Sequence, residues 1–426
     1  MKIHEALLLS SVNSLKNIKE SIFVASVLDS ENTINIEHDD RFCLSEEQRA
    51  IFDEANRFAE KELYPLAEKM DAEEWWPEDV FETIGEAGYF GLTVPEEYGG
   101  QGLDLFTSGI VAQVFGRWNY ALALSWVAHE NLCLNNIFRN ADASLKAKYL
   151  PGLCSGVQVG ALGLTEPGAG SDALGSMATT AKREGDVYVL NGRKIYITNG
   201  PVADVLLVYA KTDLGKGAHG ISAFIVEKDF SGFEVAQKLV KMGFRGSQTG
   251  ELLFDDCEVP VENLVGEENK GVSVVMSGLD LERAVIAPIC IGMAERALEL
   301  TIEYAKTREQ FDQPIASFQM IQSKLADMYV WVEAMKSLNF KVLSQVNHLE
   351  EGSGGRGMIH ADTAASIMFA ANMLNRVLDE SVQIHGGMGY MWETEINRLY
   401  RGNKLLEIGA GTTEVRKMII SEEILK

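Results

Sequence analysis

The sequence predicts an α+β protein of several domains: an N-terminal helical domain, a middle β domain of the barrel or sandwich type, and a C-terminal helical domain. The chain has 426 residues, more than one hydrophobic core comfortably serves. Apolar residues recur at helical spacing before residue 152 and after residue 270. Between them, short stretches alternate apolar and polar residues, which is typical of strands with one buried face.

The predicted domain boundaries follow these changes in pattern. Residues 1–43 are weakly patterned and form an N-terminal extension of open purpose, with room for one helix around 11–27. We assign 44–156 to the N-terminal helical domain, 157–265 to the β domain and 266–426 to the C-terminal domain.

The N-terminal domain starts at a capping box framed by Ser45 and Gln48, after which apolar residues recur at core spacing. Residues 80–87 predict a second, short helix. The stretch 88–102 is rich in glycine and predicts a loop. Residues 105–137 are apolar enough for one or two buried helices.

The β domain contains a hairpin signal. Residues 186–190 and 193–198 alternate around Asn191-Gly192, a dipeptide that favours a tight turn between two strands. Further strands are expected from the β-like runs 205–210, 221–226, 233–238 and 251–254.

The C-terminal domain returns to helical periodicity, and its helices are expected near 271–307, 317–350, 358–385 and 412–425. Residues 351–357 are rich in glycine and predict a flexible link between two of them. Pro288 lies inside the first helix and frees the carbonyl of Ala284, so we expect a bend just after Glu282.

Charge argues against two classes of partner. The chain carries 38 basic and 62 acidic residues, a net charge of −24. Nucleic acid and anionic membrane surfaces repel such a chain. An anionic ligand would need a local basic pocket or the N-terminus of a helix.

The five cysteines are widely spaced and include no CxxC pair, so we expect reduced thiols in a cytoplasmic compartment. The seven histidines form no HExxH cluster, and no metal is expected. Acidic residues through 1–40 are atypical of a mitochondrial transit peptide. No apolar run approaches the ~20 residues of a transmembrane helix.

Glu282 is the candidate catalytic residue, because it is an acid within the apolar run SGLDLERAVIAPICI. Leu281, Val285 and Ile286 predict one buried face beside it. Burial disfavours the charged carboxylate and raises its pKa, so that it can accept a proton near neutral pH. The alternative is an ordinary ion pair with Arg283 on a solvated face.

Two segments of the β domain suit a flat ligand. In ALGLTEPGAGSD, Thr165 and Ser171 offer hydroxyls, and Gly168 and Gly170 allow close approach of the backbone. In KIYITNG, Tyr196 places a ring on a strand end. The alternatives are a plain loop and a core tyrosine. Spacing of the GxGxxG type is absent, so a Rossmann fold is not indicated.

Two segments of the C-terminal domain are rich in glycine. QIHGGMGY follows a helix, where His385 is more typical of a helix C-terminus than of a catalyst. EIGAGTTEVR precedes a helix that Thr412 can cap, and the N-terminus of that helix could hold an anion. A plain helix start is the alternative.

These motifs, with TREQFDQPIASFQMIQSKLADM, occur in the order and separations of the acyl-CoA dehydrogenase family, which the chain resembles over about residues 44–426. ENLCLNNI, SGLDLERAVIA and EIGAGT look most like members of the isovaleryl type. The resemblance implies that the C-terminal domain is a four-helix bundle and that the protein is a homotetramer. It implies FAD as cofactor, an acyl-CoA substrate oxidised to trans-2-enoyl-CoA, and an electron-transfer flavoprotein as electron acceptor.

The resemblance also bears on the base. Many family members carry it where this chain has Ala410, which cannot accept a proton. Isovaleryl-type and long-chain-type members carry it where this chain has Glu282. The family uses the backbone N–H at the Ala410 position, with a flavin hydroxyl, to polarise the thioester carbonyl.

Further roles are carried over by position. Substrate contacts are implied for Ser171, Asp280, Arg283, Ala410 and Gly411. In the β domain, the residues implied to bind FAD are Leu162, Leu164, Thr165, Gly170, Ser171, Tyr196 and Thr198. The residues implied to bind FAD across a subunit boundary are Arg308, Gln310, Phe311, Gln319, Gln383, Gly386 and Gly387. Thr412 and Glu414 are implied to continue that second site.

Three positions depart from the family's common pattern: Tyr196 replaces Trp, Gly402 replaces Asp and Leu406 replaces Tyr. The last two are expected near the acyl pocket or the bundle. With QIHGGMGYMWE, which looks like long-chain members, they keep a medium-chain or long-chain substrate open. An acyl-CoA oxidase that passes electrons to oxygen, and a flavin-bearing binding protein without turnover, are further alternatives.

Overall fold

The computed structural model describes residues 44–348 and 355–426. The expected extension 1–43 lies outside them, as does most of the expected link 351–357. A helical part comes first. Its helices are α1 Glu46–Phe58, α2 Tyr64–Glu73, α3 Val80–Glu86, α4 Leu105–Val127, α5 Asn135–Asn140 and α6 Ala143–Cys154.

Helix α1 begins as the sequence predicts. The hydroxyl of Ser45 accepts a hydrogen bond from the backbone N–H of Gln48 at 3.1 Å, and the Gln48 side chain accepts one from the N–H of Ser45 at 3.0 Å. The two groups satisfy N–H donors that a helix start leaves open. Short π-helical turns, Ala59–Leu63 and Ala128–Leu134, continue α1 into α2 and α4 into α5.

The middle part is a single eight-stranded sheet in which β1 pairs with β4 and the other strands follow the order β6-β7-β3-β2-β4-β5-β8. The strands are β1 Gly160–Gly163, β2 Thr180–Glu184, β3 Val187–Thr198, β4 Val205–Lys211, β5 Ile221–Glu227, β6 Phe233–Lys238, β7 Thr249–Pro260 and β8 Leu264–Val265. One face of β4 and β5 packs on helices, and the other closes on β3 and β7 around a second core.

The predicted hairpin at Asn191-Gly192 is wrong, because β3 runs through this dipeptide without turning. A register shift between β3 and β7 occurs there instead. The Asn191 side chain exchanges two hydrogen bonds with Asp256, and Thr179 leaves no room for a side chain at Gly192. The real turn comes earlier, where Glu184 on β2 pairs with Val187 on β3.

The last part is helical. Its helices are α7 Gly271–Thr307, α8 Gln319–Val346, α9 Gly357–His385, α10 Gly387–Tyr390, α11 Glu395–Ile408 and α12 Thr413–Ile424, with a small hairpin of β9 Glu309–Gln310 and β10 Gln313–Pro314. Helix α11 was not expected. Helix α7 continues through Pro288, and the freed carbonyl of Ala284 accepts a hydrogen bond from the Asn339 amide at 3.0 Å.

The two helical parts share one hydrophobic core, which runs from α1 to α11. Helices α4 and α7 touch backbone to backbone at two glycines. A Cβ on Gly116 would lie 2.8 Å from the backbone of Ile289, and one on Gly292 would lie 1.9 Å from the carbonyl oxygen of Gln113. This close packing holds α7 in the middle of the molecule. None of the described helices has the length and apolar character needed to cross a membrane.

Candidate functional site

Glu282 lies on α7 with only 7% of its surface exposed. The helix is buried on all sides here, rather than on the one face that its apolar spacing predicts, because α4, α8 and α9 pack around it. Among the described residues, none donates a hydrogen bond to this carboxyl. Burial raises the pKa of Glu282 to about 7, against the opposing charges of Arg283 and Arg416. A carboxyl of this kind is a proton acceptor near neutral pH.

Asp280 is the centre of a buried hydrogen-bond cluster one turn before Arg283. Its carboxylate accepts hydrogen bonds from the Gly355 N–H at 2.6 Å and the Thr363 hydroxyl at 3.0 Å, and lies 2.7 Å from Nδ1 of His360. Arg283 is 3.5 Å from the same carboxylate. Burial opposes ionisation, but these partners hold the pKa of Asp280 below its ordinary value. The cluster therefore contacts one end of the Arg283 guanidinium, at Nη1, and helps to hold it in place.

The turn 409–411 approaches α7 from the other end of the chain. Arg283 Nη2 lies 3.9 Å from the place that a Cβ on Gly411 would occupy. The structure thus brings Asp280, Arg283 and Gly411, expected to contact substrate, to the same region as Glu282. The backbone of Ala410, within this turn, adopts the left-handed conformation, with φ of 54°.

Arg416 is a residue of this region that the sequence analysis did not single out. It lies on α12, is fully buried, and donates hydrogen bonds to the carbonyls of Leu406 at 3.0 Å and Gly409 at 2.5 Å. Its charge opposes the burial effect on Glu282. An arginine four residues after a helix cap carries no sequence signal that separates it from a surface arginine.

A buried ion pair joins the two segments expected to line a flat ligand. Lys194 Nζ lies 2.8 Å from the Glu166 carboxylate and donates to the carbonyl of Leu164 at 3.1 Å. The N–H of Ile195 donates to the carbonyl of Thr165 at 2.9 Å. These contacts hold ALGLTEPGAGSD against KIYITNG. Burial lowers the pKa of Lys194 to about 8, while Glu166 opposes this shift.

The surface of this pair of segments is open. No atom lies within 4 Å of the place of a Cβ at Gly168 or Gly170, and Ser171 is exposed. Tyr196 is 68% exposed and left-handed, with φ of 61°, at a shift of register between β3 and β7. It is therefore not a core residue. Thr198, two residues on, is half-buried.

Leu162 and Leu164 connect this region to α7. Both are half-buried and pack on the same core as Val274 and Val275 in the first turns of α7. The first turns of the helix that carries Glu282 and the start of the glycine-rich loop therefore border one hydrophobic core. This packing places the candidate base and the open surface on neighbouring elements.

Most of the other residues expected to bind a cofactor are exposed and lie at or next to the ends of α7 and α9. The Tyr304 and His385 rings stack at 4.4 Å and join the ends of α7 and α9. A ring nitrogen of His385 lies 2.8 Å from the carbonyl of Ser381, as expected for a histidine at a helix C-terminus. All of the following residues are exposed: Arg308, Gln310, Phe311, Gln319, Gln383, Gly386 and Gly387. Within the described parts of the chain, no hydrogen bond or ion pair links them to the glycine-rich loop.

Thr412 caps α12, accepting a hydrogen bond from the N–H of Val415 at 3.3 Å, and Glu414 is exposed. Two of the three departures from the family pattern, Gly402 and Leu406, are explained by packing. A Cβ on Gly402 would lie 2.6 Å from the ring of Tyr120, so that ring takes the space. Leu406 is buried in the shared helical core.

Over residues 44–348 and 355–426, no group of three or more histidines, cysteines or acids is arranged to hold a metal.

Comparison with known proteins gives a consistent family assignment. The N-terminal, middle and C-terminal domain models of acyl-CoA dehydrogenases match residues 45–157, 161–257 and 269–425. A mitochondrial isovaleryl-CoA dehydrogenase of Oryza sativa subsp. japonica is 45% identical over 89% of this chain and 91% of its own length. The butyryl-CoA dehydrogenase structure from Megasphaera elsdenii is 36% identical, with a TM-score of 0.85 over 90% of this chain and 99% of its own.

A solved FAD complex of the protein PigA is also similar, at 28% identity and a TM-score of 0.84 over 89% of this chain and 98% of its own. FAD is the cofactor of this chain. The open glycine-rich loop and the exposed Tyr196 ring fit a flat heterocycle, because the backbone leaves space at Gly168 and Gly170 and the ring offers an apolar face.

Proposed function

Because this chain belongs to the acyl-CoA dehydrogenase family, we propose that it oxidises short branched acyl-CoA thioesters of the isovaleryl type, with Glu282 as the base. The chain is an oxidoreductase. The branched-chain assignment is supported by the 45% identity to an isovaleryl-CoA dehydrogenase. Gly402 and Leu406 do not oppose it, since both lie in the helical core.

The observation that carries the proposal is the state of the Glu282 carboxyl. It is buried, none of the described residues hydrogen-bonds to it, and its pKa lies at about 7. Near neutral pH a substantial fraction is ionised, and the carboxylate is free to accept the α proton of a thioester. Bound FAD supplies the acceptor for the hydride that leaves the β carbon.

The surrounding residues have three tasks in this reaction. The backbone N–H of Ala410 polarises the thioester carbonyl, which makes the α proton more acidic. Arg283, fixed by the Asp280 cluster, contacts the acyl-CoA near the turn 409–411. The apolar surroundings of Glu282 exclude water, so its proton affinity is set by burial and by the two nearby arginines.

The proposal extends to the assembly and the electron acceptor. We propose a homotetramer, in which Arg308, Phe311 and Gln383 bind the FAD of a neighbouring subunit. Phe311 is 86% exposed and Met320 is also exposed, which supports cover by a second copy. The proposed electron acceptor is an electron-transfer flavoprotein, and the proposed compartment is the cytoplasm, although the rice relative is named as mitochondrial.

Anaerobic mixing of the FAD-loaded protein with acyl-CoAs tests the function. We expect isovaleryl-CoA to bleach the flavin absorbance faster than butyryl-, octanoyl- or palmitoyl-CoA. Glu282→Gln should slow bleaching by a factor of about 10² to 10⁴, because a general base contributes on this scale. Its binding of enoyl-CoA product should stay near native.

Glu303→Gln is the matched control, since Glu303 is exposed on the same helix; it should bleach at the native rate. If no thioester bleaches the native flavin, the proposed function is wrong. Faster bleaching by palmitoyl-CoA would assign a long-chain substrate instead. Peroxide formation as fast without an electron-transfer flavoprotein as with one would identify an oxidase.

A further inference from the structure

The turn 409–411 holds its backbone in an unfavourable conformation. Ala410 has φ of 54° and Gly411 has φ of 87°. A glycine adopts this region freely, but an alanine in it is strained, because its Cβ crowds the backbone. Such a residue persists only where its surroundings hold it, and these positions cluster at functional sites.

One side chain, Arg416, contacts both the turn and the end of α11 before it. Arg416 reaches back from the second turn of α12 and donates one hydrogen bond to the carbonyl of Leu406 and one to that of Gly409. Its guanidinium is planar and presents several donors in a fixed fork, so it can span two carbonyls at once. The lysine ammonium is a point charge on a flexible stem and cannot reproduce this geometry.

The same guanidinium lies among the charges that face Glu282. On the elements packed around Glu282, the charged and titratable neighbours are Arg283 on α7, Arg416 on α12 and Tyr209 on β4. Arg416 in turn has Cys290, Arg283 and Glu407 nearby. Arg416 therefore contacts the turn with its hydrogen bonds and influences Glu282 with its charge.

We infer that Arg416 is a positioning residue of the reaction: it holds the Ala410 N–H in the place where that group can polarise a thioester carbonyl while Glu282 takes the α proton. The inference rests on the proposed function. Its second consequence is electrostatic, because the charge of Arg416 favours the ionised form of Glu282.

Three variants of the FAD-loaded enzyme separate the two effects. Arg416→Lys keeps the charge but not the fork, and should lower kcat by about tenfold to a hundredfold, with the Kd of enoyl-CoA product within threefold of native. Arg416→Met removes both the charge and the fork. It should lower kcat in the same way, and it should also shift the acidic limb of the profile of kcat/KM against pH to higher pH, by about one pH unit. Lys417→Met, which removes an exposed cation beside Arg416, should leave both quantities unchanged.

The inference is overturned if Arg416→Lys, folded and full of FAD, keeps the native kcat, or if Arg416→Met keeps the native acidic limb. Should Arg416→Lys or Arg416→Met fail to fold, Arg416→Gln takes its place, because its neutral amide can donate to one of the two carbonyls but not to both. A native kcat with a native acidic limb would then refute the inference, and a lowered kcat with a raised acidic limb would support it. Failure of the proposed function would be seen separately, because in that case none of the thioesters would bleach the flavin of the native protein.

Discussion

At the scale of one residue, Glu282 shows how function opposes stability. A carboxyl buried without a hydrogen-bond partner among the described residues destabilises the fold once it is ionised. The folded protein binds its proton more tightly than the unfolded chain, since the pKa is raised from 4.5 to about 7. Its ionised form is needed for the proposed proton abstraction, so the enzyme works at a pH where this residue weakens it.

Glu282→Gln should therefore stabilise the protein in a pH-dependent way. Below pH 4.5 the carboxyl is neutral in both states; between 4.5 and 7 only the folded state keeps the proton; above 7 the full destabilisation is present. We expect the variant to gain stability over native from pH 5 to pH 8, by roughly 3 kcal/mol at most. Urea unfolding of the FAD-loaded forms at several pH values measures this, and a pH-independent difference would contradict it.

At the scale of elements, the ion pair Lys194–Glu166 keeps the glycine-rich loop on β3. Glu166 also accepts hydrogen bonds from the N–H groups of Ala178 and Thr179. The pair is fully enclosed, so its members depend on each other for solvation. Through Leu164 and Ile195 it fixes the backbone that forms the open surface for the flavin.

Lys194→Met should weaken FAD binding by about tenfold or more, because it removes the hydrogen bond to Leu164 and leaves Glu166 as an unpaired buried acid. Titration of the FAD-free protein with FAD gives the Kd. Lys182→Met is the control. Lys182 forms an exposed ion pair with Glu184, and both residues lie on β2, the strand next to β3. Loss of this pair should leave the Kd for FAD within twofold of native. A native Kd in Lys194→Met would show that the pair does not position the loop.

At the scale of the molecule, the two helical parts are tied together by a polar network as well as by their shared core. Arg296 on α7 donates to both carboxylate oxygens of Glu395 on α11, at 2.8 and 3.0 Å, and to the Tyr64 hydroxyl on α2 at 3.1 Å. Tyr64 donates to the same carboxylate at 2.8 Å. Three helices that are far apart in the chain therefore meet at one mostly buried site.

Arg296→Met should lower the free energy of unfolding by about 3 kcal/mol, because it leaves the Glu395 carboxylate without its cation in a mostly buried place. The midpoint of urea unfolding measures the loss. In Lys61→Met, which breaks an exposed ion pair with Glu62, the midpoint should not move. If both variants unfold at the native midpoint, the network contributes nothing to the union of the two helical parts.

The sequence by itself determined the features that depend on local chemistry. The capping box at Ser45, the long helix α7 and the apolar runs of β4 and β5 follow from propensity and spacing over a few residues. The ordered motifs also indicated the family, and Glu282 stood out because an acid within so apolar a stretch is unusual.

Only the tertiary structure decided what depends on neighbours distant in the chain. Asn191-Gly192 has the composition of a turn, but pairing of β3 with β7 keeps it extended, since ladder hydrogen bonds and Asp256 outweigh local preference. Arg416 looks like any helical arginine until α12 folds against Leu406 and Gly409. Spacing along a chain fixes which face a residue shares, whereas the charges and carbonyls that surround it are set by how the elements pack.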